Sequence, residues 1–302
     1  MDPGHLGTAF HGGGHYENFP VASWLLPAEM RGTLLALYRF ARTGDDLADE
    51  GDLAPAARQA GLNALRAGLD GLNSSLAKPN GHQDIGSALR AELLARQLQT
   101  LQAGKLLDAF QSDILHQPYP TISDLMVYCE HSANPIGRIM LAAAKIIDDS
   151  NVNCPITAAS DAVCSGLQLV NFAQDMGQDF KRGRIYVPQE WWPAGWLPEA
   201  GPESVSDEIK HHWATKMAWL GHDHIVRGTG LVAHIHRAAR GPRKRLGLEI
   251  AMVIEGGLRM SRKVLADPIA VWRRSPVLSR ADLAVILLRA MLTFINPRRH
   301  DA

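Results

Sequence analysis

Cysteine is scarce in this chain. Cys129, Cys154 and Cys164 are the only three, and none stands in a CxxC or zinc-type spacing. A disulfide framework is excluded, and reduced, cytosolic thiols are the expectation. An excess of one charge is also missing: 31 Lys and Arg balance 31 Asp and Glu, so nothing calls for a nucleic-acid partner. No apolar run approaches the roughly 20 residues of a membrane span. The nearest, LAVILLRAMLTFI (283–295), is shorter, carries Arg289, and is expected to be a buried C-terminal helix. The start, MDPGHLGTAFHGGGHYENF, has neither the basic opening nor the apolar core of a signal peptide. The chain is therefore expected to be cytoplasmic, or peripheral on the inner face of the membrane, and not integral.

Other absences are chemical. HGGGH (11–15) has the look of a lipase oxyanion loop, but no G-x-S-x-G elbow accompanies it, and residues 1–14 are read as a flexible lead-in. No GxGxxG nucleotide-binding loop is present. A di-iron bundle needs two E-x-x-H motifs, and only Glu208 to His211 fits. His211, His212, His222, His224, His234 and His236 follow helical spacing with no acidic or cysteine partners, which argues against zinc.

What is present is helical periodicity. Leu89, Leu93, Leu94, Leu98, Leu101, Leu107, Phe110 and Ile114 recur at three- and four-residue steps. Similar patterns run through 28–48, 53–76, 121–149, 155–182, 206–240, 243–266 and 279–296. Breaks fall at KPNGHQD (78–84), HQPYPT (116–121), DDSNVNCP (148–155) and WWPAGWLPEAGP (191–202). No alternating strand, repeat or domain linker appears. One all-α domain covering 1–302 is the expectation.

Against that background, FARTGDDLADEGD (40–52) stands out. Five carboxylates, Asp45, Asp46, Asp49, Glu50 and Asp52, crowd into eight positions. Asp45 and Asp49 are four apart and share a helical face. Their repulsion is roughly 0.7 kcal/mol in water and about 3 kcal/mol at an effective dielectric near 20. On an exposed face that cost is small, and the stretch is a solvated helix end. Facing a cavity, it needs a cation, and a hard divalent ion such as Mg²⁺ suits. The EF-hand alternative fails, because Leu47 and Ala56 occupy ligand positions.

A second acidic helix favours the cavity reading. In QLVNFAQDMGQDFKRGRIYVP (168–188), Asn171, Asp175 and Asp179 step by four, followed by Lys181, Arg182 and Arg184. Oxygen ligands beside cationic side chains are what a metal–diphosphate group requires. One D-x-x-x-D is weak evidence; two, about 130 residues apart, are much stronger.

These two stretches, with HYENFPVAS (15–23), YCEHSANPIGR (128–138) and LEIAMVIEGGLR (248–259), resemble the squalene and phytoene synthases over nearly the full chain. Within that family they are most similar to the branch that makes hydroxysqualene in bacterial hopanoid biosynthesis. The resemblance implies a class I isoprenoid synthase α-helical bundle, with the two motifs facing each other across a central cavity. It implies Mg²⁺ held by Asp45, Asp49, Asn171, Asp175 and Asp179, with Arg42, Arg184 and Tyr186 on the diphosphate side. Tyr38 and Tyr128 match pocket aromatics that act on the reacting chain, Gln168 a polar pocket residue, and Phe19 and His15 the N-terminal lining.

Condensing members carry arginine before the second motif's first aspartate, where this chain has Gln174, and serine where it has Tyr16 and Asn18. Glutamine neither stays charged nor forks onto phosphate. That departure fits an enzyme that binds one diphosphate, on presqualene diphosphate, in place of two. The implied reaction yields hydroxysqualene and diphosphate without NADPH, beside other enzymes of the hopanoid pathway. Prenyl transfer as in presqualene diphosphate or phytoene synthesis, and a non-catalytic helical partner subunit, are the alternatives. Trp191, Trp192 and Trp196 read as core packing ahead of a membrane-interface role, GPRKR (241–245) as a solvated helix start ahead of a lipid contact, and Cys129 and Cys164 as buried spectators.

Overall fold

The computed structural model describes residues 26–49, 53–72, 81–149 and 153–296. Among them there is no strand, and the order of helices is α1 (Ala28–Asp49), α2 (Pro55–Asp70), α3 (Gly81–Leu94), α4 (Leu101–Asp113), α5 (Ile122–Ser132), α6 (Asn134–Ala143), α7 (Pro155–Gln174), α8 (Met176–Lys181), α9 (Asp207–Arg227), α10 (Leu231–Ala238), α11 (Arg245–Ala266) and α12 (Arg280–Ile295). The lead-in 1–14, His15 and Phe19 lie outside the described residues.

Local chemistry sets many of these boundaries. Thr121 opens α5 and Ser279 opens α12 with reciprocal capping boxes to Asp124 and Asp282. Prolines stand in the first turn of α2, α6 and α7, where a missing N–H costs nothing. Four of the expected runs are divided. The run 85–115 breaks where Gln97 turns to a φ of 61°. The run 121–149 breaks before Pro135, 155–182 at Asp175, and 206–240 at Gly228–Gly230. His234 and His236 therefore sit on α10, off the helix that carries the other four histidines.

Two apolar clusters fill the interior. One gathers α1–α4, α6, α10 and much of α11 around Phe40, Leu62, Leu93 and Leu107. The second joins α5, α8 and α9 around Trp213, Met217 and Phe180. Helix α7 belongs to both, giving Val163 and Val170 to the first and Leu169, Phe172 and Ala173 to the second. It crosses α9 backbone to backbone: a Cβ on Gly166 would lie 2.7 Å from the Ile225 nitrogen, and one on Gly221 2.8 Å from the Gly166 carbonyl. Only glycine permits that approach. A bidentate Arg138–Asp161 pair at 3.0 and 2.6 Å fastens α6 to α7.

Two sequence expectations meet the structure here. The tryptophan loop packs inward: Trp192 Nε1 donates to the Val187 carbonyl, Trp213 Nε1 to that of Trp191, and Trp196 lies edge-on to Trp213. The C-terminal helix is the correction. Only Asp282, Ile286 and Ala290 of α12 are buried, while Leu288, Leu292 and Ile295 are 60%, 57% and 73% exposed. Apolar composition said that the helix would leave water; it did not say that one stripe alone would meet α11.

Candidate active site

The first motif closes α1. Tyr38, Arg42, Asp45 and Asp49 fall on one helical face at steps of four, three and four. Arg42 curls over the cluster, its Nη2 2.8 Å from Asp46 Oδ1 and its Nη1 3.8 Å from Asp45 Oδ2. The crowded carboxylates thus carry a counter-charge from their own helix. The side chain of Asp49, and residues Glu50 and Asp52, lie outside the described set. Gly44 lets this end of α1 approach α4, since a Cβ there would strike the Phe110 ring.

The second motif spans a break. Helix α7 ends at Gln174, Asp175 serves as the joint, and α8 carries Asp179. The loop before α12 clasps that joint. Gln174 Nε2 donates to the Pro276 carbonyl at 2.9 Å, Gln178 Nε2 donates to Ser275 Oγ at 2.7 Å, and Ser275 Oγ donates to Asp175 Oδ1. Gly177 lies flat against Trp272, with no room for a Cβ. Gln174 is therefore buried and directed at the loop.

One side chain links the motifs. Arg184 Nη2 donates to the Ala48 carbonyl at 3.2 Å, in the last turn of α1. Arg58 meets the same turn, its Nη1 2.7 Å from the Ala48 and 3.2 Å from the Leu47 carbonyl. Two guanidiniums at a helix C-terminus satisfy carbonyls that the helix leaves open, and they oppose its negative dipole end. The first motif is thereby fixed next to the basic turn that follows the second.

Beside this junction lies an aromatic wall. Tyr186 stacks on Phe172 with centroids 3.9 Å apart, and Tyr128, Tyr119 and His116 pack around Tyr186 at 6.2, 6.5 and 4.9 Å. Tyr128 donates to Asp113 Oδ2 at 2.7 Å, and burial above all holds its phenol far above its ordinary pKa, so it stays protonated. Burial likewise depresses His116, with the nearby Arg184 charge adding to the effect. The neutral ring accepts the Ile185 N–H at 3.1 Å.

A cavity of about 170 Å³ opens between α6, α7, α10 and α11. Gln168 and Asn171 of α7 supply its polar edge, and Ile136, Met140, Leu167 and Val253 its apolar wall. Cys164 also lines it, with burial pushing the thiol up to about 12, too high for a nucleophile. Cys129, also at about 12, is buried elsewhere.

Asp45, Asn171, Asp175 and Asp179 offer hard oxygens alone, the donor chemistry of Mg²⁺, with Arg184 close by for phosphate. Among the described residues, which leave out the Asp49 side chain, no three His, Cys, Asp or Glu side chains group as metal ligands. Sequence reasoning missed Ser275, Arg58, His116 and Asp113. Their links to the motifs span loops and long separations, and helical spacing carries no signal for such links.

The squalene/phytoene synthase family model matches residues 13–282. The chain is 35% identical to a hydroxysqualene synthase of Zymomonas mobilis over 80% of its length and 77% of the relative's. It is 37% identical to one of Sinorhizobium fredii, over 58% of this chain and 56% of that one, little more than half of the relative. Its structure superposes on a squalene synthase from Alicyclobacillus acidocaldarius with a TM-score of 0.65 at 26% identity, covering 84% of this chain and 90% of the other. With paired acidic motifs on a helical isoprenoid synthase fold, and a family match that runs through both of them, the chain belongs to the squalene/phytoene synthase family.

Proposed function

We propose that this protein, working as one domain, is a hydroxysqualene synthase, a carbon–oxygen lyase that converts presqualene diphosphate and water to hydroxysqualene and diphosphate. The observation that carries the reading is the Arg184 bridge to Ala48, which sets a cation between the two acidic motifs. The relatives named above support the choice within the family.

Asp45 and Asp49 on one side, and Asn171, Asp175 and Asp179 on the other, would hold Mg²⁺. When bound there the ion supplies neutralising charge for a departing diphosphate. Arg42 and Arg184 take up the remaining phosphate charge as the carbon–oxygen bond breaks, because charge develops on the leaving group in that step. The rings of Tyr186, Phe172 and Tyr128 offer π faces that tolerate a carbocation without attacking it. With its hydroxyl already donated to Asp113, Tyr128 is directed away from quenching the cation. Gln168 and Asn171, with the hydroxyls of Ser132 and Ser160, are polar groups of the cavity that can orient the capturing water.

The test is purified protein with presqualene diphosphate and Mg²⁺, with products extracted and identified. Hydroxysqualene is expected, with NADPH changing neither rate nor product and farnesyl diphosphate alone a poor substrate. Rapid formation of presqualene diphosphate from farnesyl diphosphate would move the assignment to prenyl transfer.

A further inference from the structure

Although its net charge is zero, the chain is electrically lopsided. Between Arg237 and Arg299 there are fourteen Lys and Arg against four Asp and Glu, so nearly half of its cations fall in the last fifth. Three of those four acids are engaged or buried. Asp282 pairs with Lys263 and Arg259 at 2.6 and 2.7 Å, Glu255 lies 3.9 Å from Arg289, and Glu249 is fully buried. A cationic surface remains.

On that surface lies α12. Its buried stripe is Asp282, Ile286 and Ala290, and the rest of its circumference shows Leu283, Leu287, Leu288, Met291, Leu292 and Ile295 to solvent. Contiguous exposed apolar side chains on this scale mark an interaction surface. Cations frame both ends. Arg280 stands at the start of the helix and Arg289 within its exposed face. At its far end, Phe294 rests 3.5 Å from where a Cβ on Gly247 would be, which brings the start of α11 alongside. The exposed Arg240, Lys244 and Arg245 stand there.

We propose that the exposed face of α12 docks on an anionic lipid bilayer, its leucines entering the interface and the flanking cations meeting headgroups. Apolar side chains flanked by Lys and Arg, with no exposed acid on the helix, are the composition of an interfacial helix. Charge complementarity selects the bilayer over a second copy of the chain. A two-fold contact would set this cationic face against itself. No described helix is long and apolar enough to cross the membrane, so the contact is peripheral.

The full-length protein is sedimented with vesicles of phosphatidylcholine, with and without phosphatidylglycerol, and its oligomeric state is followed by analytical ultracentrifugation. Binding to the phosphatidylglycerol vesicles is expected, falling with salt. Leu288→Ser with Leu292→Ser should weaken it by at least about tenfold with helicity unchanged, since both side chains are already in water. Arg240→Gln with Lys244→Gln should cost roughly fivefold per charge. Three results would overturn the proposal: wild-type protein left in the supernatant, a serine variant that binds like wild type, or a dimer that the serine variant dissolves.

Discussion

At the scale of single residues, the site depends on groups that hold other groups. Asp45 and Asp175 are the first acids of their motifs, and each already has a protein partner, Arg42 for one and Ser275 for the other. Asp45→Ala or Asp175→Ala should lower turnover by about 10²–10³-fold or more, as removal of a charge-stabilising group does. Circular dichroism should be unchanged, and near-wild-type turnover in either variant would remove the metal-site assignment. His116 gives a pH prediction. Its folded-state pKa is depressed, chiefly by burial, so the unfolded chain takes up the proton more readily. Stability should be complete above the ordinary histidine value of about 6.5 and should fall as pH drops below it. Denaturant titrations across that range should show the loss, and His116→Gln should reduce its slope, with His222 and His224, also depressed by burial, supplying the remainder. The aspartates were legible in the sequence because four-residue steps are visible in a string of letters. Ser275 was not, since its bond to Asp175 joins a loop to a helix joint a hundred positions away.

Among the elements, α7 is the member on which the site hangs, and its glycine crossing with α9 fixes where Asn171 and Asp175 stand. Gly221→Ala would push a methyl into the α7 backbone. A loss of about 1–3 kcal/mol is expected from such overpacking, measurable by urea unfolding. An unchanged midpoint would show that the two helices can separate freely. Helix existence was plain from periodicity, which survives wherever an apolar stripe meets a core. The joints at Asp175 and Gln97 were hidden because apolar spacing continues across them, and neither residue is a strong breaker. The exposure of α12 was hidden for a different reason: a hydrophobic helix in sequence looks the same whether its partner is a protein interior or something outside the chain.

For the whole molecule, net charge is a poor guide to how the surface behaves. With cations concentrated after residue 236, the protein should be retained on a cation exchanger at pH 7.5 and low salt in spite of its formal neutrality. Elution in the void volume would show that the cationic region is masked. The same separation of chain segments bears on Gln174. Its amide secures Pro276, while its neighbour Asp175 is secured by Ser275. An exchange of glutamine for arginine at 174 would therefore alter two things together, the charge beside the second motif and the seating of the loop that leads into α12. A change in substrate choice after that single exchange could not be attributed to charge alone. Gln174→Met, which loses the amide but adds no charge, is the control that separates electrostatics from architecture.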